Sequence, residues 1–81
     1  MDEIPHRLAK CFTAVFPSLR ESEAYSASVA SVASWDSTAA IMLANVIEEE
    51  FNISVDYERL PDLLSFDLIV HYLREHNNSS A

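Results

Sequence analysis

The chain has 81 residues, of which 49% are hydrophobic and 22% charged, and its formal net charge is -8. This length allows one domain, and the composition is that of a folded protein and not of a disordered one. The absence of glycine excludes the phosphate-binding loops of nucleotide-binding proteins, because those loops need backbone conformations that only glycine adopts freely.

The single cysteine cannot form an internal disulfide, so we expect a reducing, cytoplasmic setting. The N-terminal sequence is acidic, unlike a secretory signal, and no apolar run approaches the roughly 20 residues of a membrane helix. We therefore expect neither processing nor membrane insertion.

The acidic residues are concentrated in the middle of the chain. Residues 36–67 hold eight acids against Arg59 alone, a net charge of -7. Such a field disfavours nucleic acid and anionic membranes. It either steers the protein toward basic patches on partner proteins or simply keeps a small domain soluble.

The apolar spacing predicts a first helix over residues 4–16, which Pro17 ends. Cys11 lies on the apolar face of this helix, which favours a small buried side chain over a reactive thiol. Residues 17–35 are rich in serine and alanine and have no sustained period, so they are predicted to form a long loop.

Asp36 is predicted to cap a second helix of about fifteen residues. The apolar residues of this helix that we expect to pack inside the bundle are Ile41, Leu43, Ala44, Ile47 and Phe51. One helical turn is predicted around Pro61, and a last helix begins at Ser65 and ends near His76. The polar tail 77–81 is expected to fray. The fold is therefore predicted to be all-α, a small four-helix bundle with three main helices and one short helix, with its ordered core over about residues 4–76.

The junction between the long loop and the second helix carries the most specific motif. Trp35, Asp36 and Ser37 stand there, and the helix continues as STAAIMLANVIEEEFNISV. This sequence resembles the acyl carrier protein family, whose members place Asp-Ser at the start of the second helix. In that family Glu-Glu-Phe and an isoleucine-rich exit follow after about ten residues. Most serines at helix starts are only capping residues. A special role for Ser37 therefore depends on the surrounding motif and not on the Asp-Ser pair alone.

The resemblance implies that Ser37 carries 4'-phosphopantetheine, taken from coenzyme A by a phosphopantetheinyl transferase, with Asp36 as the adjacent motif residue. Acyl intermediates would travel on this arm as thioesters, in fatty-acid, polyketide or another specialised biosynthesis. The implied partners are the transferase, an acyl-loading ligase or acyltransferase, and a ketosynthase or other acyl-using enzyme. The protein itself is expected to be a monomer and not an enzyme.

The resemblance also implies that partner enzymes dock on the second helix. The acidic residues that match this role are Glu48, Glu49 and Glu50, with Asp56 nearby. A solvated charged face is the alternative interpretation of the same residues. If the acids do bind a partner, docking should weaken as salt is added.

Three positions near Ser37 depart from the common family pattern. Trp35 precedes the Asp-Ser pair where glycine is frequent, Thr38 replaces a leucine, and Met42 makes the helix start less acidic. We therefore expect these three residues to contribute to a more apolar docking surface and to dedicated partners.

Two alternatives stay open at the level of sequence. One is an aminoacyl or peptidyl carrier, which shares the fold and the serine, although Trp35 argues against it. The other is a helical interaction module that is never modified and docks through its acidic face. The three histidines lack zinc-ligand spacing, and calcium loops and hydrolase elbows both require glycine.

Overall fold

The computed structural model describes residues 3–79, and it describes side chains up to residue 75. Its helices are α1 (Ile4–Val15), α2 (Glu21–Ala24), α3 (Ser37–Phe51), a 3-10 helix (Tyr57–Asp62) and α4 (Phe66–Ser79). Over the described residues there is no strand, only an isolated antiparallel bridge between Ser28 and Ser65. The all-α prediction is confirmed.

The connection between α1 and α3 differs from the predicted loop, because it contains the single-turn helix α2. The backbone N–H of Arg20 donates to the Glu23 carboxylate at 2.9 Å, and this bond secures the first turn. Ala24 at its end is fully buried. Four residues are too few to show a helical period in the sequence, so this helix was not predicted.

α4 begins as predicted and ends later than predicted. The Ser65 hydroxyl accepts a hydrogen bond from the N–H of Leu68 at 3.2 Å, which caps the first turn. The helix continues to Ser79, so the end predicted near His76 falls too early. The last two residues of the predicted tail, 80 and 81, lie outside the described residues.

The core is formed where α1 crosses the start of α3 and the start of α4. Phe12, which is fully buried, lies with its ring centroid 5.3 Å from that of Trp35 and 5.3 Å from that of Phe66. At the opposite end of α1, Arg7 contacts Glu50. The C-terminal end of α1 thus meets the N-terminal end of α3, and the N-terminal end of α1 meets the C-terminal end of α3. The two helices therefore run antiparallel.

Both ends of α3 are closed by residues that the local sequence provides. The Asp36 carboxylate accepts from the N–H of Ala39 at 2.9 Å, which confirms the predicted cap. At the other end Asn52 adopts a left-handed conformation, with φ at 55°. Glycine usually fills this position, and Asn is the residue that tolerates it best in a chain without glycine. α3 is therefore 15 residues long, as predicted.

The 3-10 helix confirms the turn predicted around Pro61, and polar contacts cap its start and tie that start to α4. The Asp56 carboxylate accepts from the N–H of Glu58 at 3.0 Å, and the Asp56 N–H donates to the Tyr72 hydroxyl at 2.9 Å. None of the residues in this helix is buried, although Leu60 packs partly against the core. Across the described residues, no helix is long and apolar enough to cross a membrane.

Candidate functional site

Ser37 is the first residue of α3 and its side chain is exposed. The hydroxyl forms no hydrogen bond with any residue of the described part of the chain. Asp36, not Ser37, therefore supplies the helix cap, since its carboxylate binds the Ala39 N–H. The serine hydroxyl is left open to solvent and to a partner.

The first turn of α3 presents unused backbone donors around this hydroxyl. The Ala40 N–H donates to the Asp36 carbonyl at 2.9 Å, which begins the helical hydrogen-bond pattern. The N–H groups of Ser37 and Thr38 precede that pattern and have no acceptor among the described residues. Together with the helix dipole they favour a negatively charged group at Ser37, so the site fits a phosphodiester.

Trp35 fixes the position of this turn from inside the bundle. Only 7% of its surface is exposed, and its ring meets Phe12 edge-on at 5.3 Å and Phe16 at 5.8 Å, between ring centroids. This packing anchors the end of the loop to the core. The buried ring offers little surface for the partner contact that was predicted for Trp35.

On one side Ser37 borders a surface groove, called here the Ser37 groove, with a volume of about 450 Å³. It lies between the start of α3, the loop at Val29, the 3-10 helix and the segment just before α4. Its walls include Val29, Ile41, Tyr57, Leu60, Pro61 and Leu64. Among the residues that the structure describes, Asp36 is the only charged one that lines it.

Beneath the groove, the interior of the bundle is tightly packed. A cavity of about 20 Å³ lies there and shares Trp35, Ala40, Leu60 and Leu63 with the groove. A space of this size holds about one water molecule. An apolar group larger than that has room in the groove, and in the interior only if the helices separate.

A second, shallower groove of about 480 Å³ lies on the other side of Ser37. Thr38 and Met42 of α3 face the end of α1 there, at Val15 and Phe16. Met42 is 51% exposed, which is a large apolar surface for one side chain. The structure thus brings Thr38 and Met42 together beside the serine, as a docking surface requires.

The predicted acidic docking residues lie at the far end of α3, and two of them make contacts within the protein. The half-buried Glu48 accepts a hydrogen bond from the N–H of Val55 at 2.7 Å. Glu50 pairs with Arg7 at 2.8 Å, and the guanidinium also donates to the Glu50 carbonyl. Arg7 further lies over the ring of Phe51, at 4.5 Å from the ring centroid.

The remaining predicted docking acids are exposed. Glu49 extends from α3 between its two engaged neighbours, and Asp56 uses its carboxylate to cap the 3-10 helix. At a rise of 1.5 Å per residue, Glu49 lies about 18 Å along α3 from Ser37. The acids and the serine therefore belong to separate parts of the surface.

Ile41 shows what the sequence reasoning missed. Its helical spacing predicted a core position, whereas the residue is 45% exposed and lines the Ser37 groove. The groove joins residues from four separate segments, and no short-range pattern in the sequence reports such a surface. In the sequence, the groove is indicated only by the apolar character of Val29, Ile41 and Leu64.

Cys11 is 2% exposed, which confirms the prediction of a buried side chain. Burial is the main cause that raises the pKa of its thiol from the ordinary 9.0 to about 11, and the nearby Glu50 carboxylate adds a smaller effect in the same direction. The thiol is protonated at neutral pH and is a poor nucleophile. Among the described residues, no group of three or more His, Cys, Asp or Glu side chains is placed to hold a metal ion.

Comparisons of the chain with protein-family models, with curated proteins and with solved structures gave no match.

Proposed function

We propose that this protein is an acyl carrier protein and that Ser37 is the attachment residue for 4'-phosphopantetheine. One observation carries the proposal: the Asp36-Ser37 pair stands at the exposed start of the long helix α3, with the serine hydroxyl unbonded within the described chain. α1 and the single-turn helix α2 precede that pair, and the 3-10 helix and α4 follow α3.

The residues of the chain divide the work of holding such an arm. The Ser37 oxygen would hold the arm through a phosphodiester, with adenosine 3',5'-bisphosphate released from coenzyme A, and the N–H groups of Ser37 and Thr38 would stabilise the added negative charge. Asp36 keeps the first turn of α3 in place through Ala39, and Trp35 anchors that turn to the core. When bound, the arm supplies a thiol that holds acyl groups as thioesters. The chemistry of transfer belongs to partner enzymes, and the carrier itself needs no catalytic residue.

The proposed partners are a phosphopantetheinyl transferase, an acyl-loading ligase or acyltransferase, and a ketosynthase or other acyl-using enzyme of the cytoplasm. We propose that they approach over Thr38 and Met42, because these residues are exposed beside Ser37. Glu49, Asp56 and Glu58 are exposed acids that add attraction to basic partners. Docking should then retain some salt dependence, carried by these acids more than by Glu48 or Glu50.

The test is to incubate the purified protein with coenzyme A, magnesium and a broad-specificity transferase, and to measure the intact mass. We expect an increase of about 340 Da, the mass of one phosphopantetheinyl group. Ser37→Ala should abolish the increase. Ser34→Ala is the matched control, because Ser34 is also exposed and lies three residues earlier.

Three results would contradict the proposal. An unchanged mass with several transferases would favour the unmodified interaction module. A mass increase that persists in Ser37→Ala would place the arm on another residue. Loading of the armed protein by amino-acid ligases in preference to acyl ligases would favour the aminoacyl or peptidyl carrier instead.

A further inference from the structure

The indole N–H of Trp35 is a hydrogen-bond donor that the fold does not use. The residue is only 7% exposed, yet the N–H has no acceptor in the part of the chain that the structure describes. Among those residues, no fully buried side-chain nitrogen or oxygen lacks a hydrogen bond, so the indole nitrogen must reach an opening. An N–H group that loses water without gaining an acceptor costs free energy, and a buried indole usually has such an acceptor.

Two openings border the Trp35 ring, namely the Ser37 groove and the small cavity beneath it. Besides Trp35, only Tyr72 brings a polar side chain to the cavity, and its hydroxyl already accepts from the Asp56 N–H. A buried water needs two to four polar partners, and a cavity of about 20 Å³ holds about one water. The groove is therefore the better place for an acceptor of the indole N–H.

Within the groove, Trp35 provides the only side-chain N–H among the described residues that line it. The other polar side chains there are already engaged. The Tyr57 hydroxyl donates to the Asn45 Oδ1 atom at 2.5 Å, and the Asp36 carboxylate caps α3. Ser37 is the proposed attachment residue. A carbonyl group that enters the groove from Ser37 therefore finds one free side-chain donor, the indole of Trp35.

We propose that the indole N–H of Trp35 binds the first amide carbonyl of the phosphopantetheine arm and so holds the start of the arm beside Ser37. The inference rests on the proposed carrier function, and it concerns the arm itself, whatever acyl group the arm carries. Glycine, which is frequent at this position in the family, has no side-chain donor. The contact is therefore a property of this chain and not of the common pattern.

The chemistry and the spacing of the two groups agree with this contact. The arm carries two amides and a hydroxyl on an otherwise apolar chain, and its first carbonyl stands a few carbon atoms beyond the phosphodiester. Trp35 stands two residues before Ser37, a span of at most about 7 Å of backbone. The second amide and the thiol lie further along the arm and stay free to reach partner enzymes.

The first measurement compares the isotope-labelled native protein before and after the arm is attached, with the intact mass as proof of attachment. Because the chain has one tryptophan, its NMR spectrum contains one indole N–H signal. We expect this proton signal to move downfield when the arm is attached. Its exchange with water should slow about fivefold, the factor that one hydrogen bond of ordinary net strength gives.

The second measurement uses coenzyme A with an isotope label on both amide carbonyl carbons. The first carbonyl signal should differ from that of free coenzyme A, and the second should not. Trp35→Phe keeps an aromatic ring without the N–H, so it should return the first carbonyl signal to its free position. Tyr57→Phe is the matched control, because it removes a hydroxyl of the same groove that is already engaged with Asn45. It should leave the carbonyl shifted.

An indole signal that is the same with and without the arm would overturn the inference, and this comparison needs no variant. A first carbonyl that stays shifted in Trp35→Phe, or that loses its shift equally in Tyr57→Phe, would assign the contact to another group and also overturn it. These failures differ from a failure of the carrier function, in which no transferase adds mass to the protein. A mass increase with an unchanged indole signal rejects the Trp35 contact alone.

Discussion

The two ends of α3 are built in different ways. The C-terminal end is secured by its own charged side chains, since Glu48 binds the N–H of Val55 and Glu50 pairs with Arg7. The N-terminal end is secured from outside the helix by the cap at Asp36 and the buried ring of Trp35. Ser37 itself takes no part in either arrangement.

This difference separates residues that stabilise the fold from residues that are free to meet a partner. At the N-terminal end, Thr38, Ile41 and Met42 are exposed beside two grooves. At the C-terminal end, two of the three consecutive acids are engaged within the protein. Two acids of this run therefore hold parts of the fold together, whereas the surface near Ser37, which we propose as the docking surface, is mainly apolar.

The largest expected effect on stability is at the buried anchor of the N-terminal end. Trp35→Ala should lower the free energy of unfolding by about 3–5 kcal/mol, because it removes a large ring from contact with Phe12 and Phe16. Chemical denaturation measures the change. Met42→Ala, on the exposed face of the same helix, should stay within about 0.5 kcal/mol of the native protein. Similar losses in both variants would contradict the described anchoring.

The next effect on stability concerns Cys11 of α1, which lies close to the Arg7–Glu50 pair at the C-terminal end of α3. Its folded-state pKa of about 11 exceeds the ordinary 9.0, so the proton is held more tightly in the folded state. The stability that comes from this raised pKa is fully present below pH 9, and it is lost as the pH rises through about 11. The free energy of unfolding should fall by about 2 kcal/mol over this interval.

Cys11→Ala isolates that contribution, because all other ionisable groups are present in both proteins. The quantity to compare is the slope of the free energy of unfolding against pH, and not the free energy of unfolding itself. A slope that is the same in Cys11→Ala and in the native protein would show that the thiol is not held protonated by burial.

The smallest predicted effect compares two neighbouring acids. Glu48→Ala leaves the Val55 N–H without its acceptor and should cost about 1–2 kcal/mol. Glu48→Gln keeps an oxygen acceptor and should recover most of the loss. Glu49→Ala, at an exposed position, should stay within about 0.5 kcal/mol. Equal costs for Glu48→Ala and Glu49→Ala would remove the distinction between the engaged and the exposed acid.

Local signals in the sequence were sufficient for α1, for α3 and for the place of Ser37 at the start of α3, but not for α2 or for the end of α4. The cap at Asp36, the length of α3 and the turn at Pro61 each depend on residues that are adjacent in the chain. The role of Glu48 was not predictable in this way. Val55 lies seven residues later, and its N–H reaches the Glu48 carboxylate only after the chain has turned at Asn52.

The Ser37 groove was beyond the reach of sequence patterns for a related reason. Val29, Ile41, Tyr57 and Leu64 come from four segments, and only tertiary packing brings them together. Helical spacing gave Ile41 a place in the core, but the groove leaves its side chain 45% exposed. Helical spacing in the sequence identifies the apolar face of a helix. It does not show which residues of that face are buried by the rest of the protein.

The central claim, that Ser37 carries the arm, is tested most directly by locating the modification. The native protein is treated with coenzyme A and a transferase, digested, and fragmented in a mass spectrometer. The account predicts that the added mass lies on Ser37 alone, with the exposed Ser31 and Ser34 unmodified. Location of the mass on either of those serines, or on a residue outside α3, would contradict it.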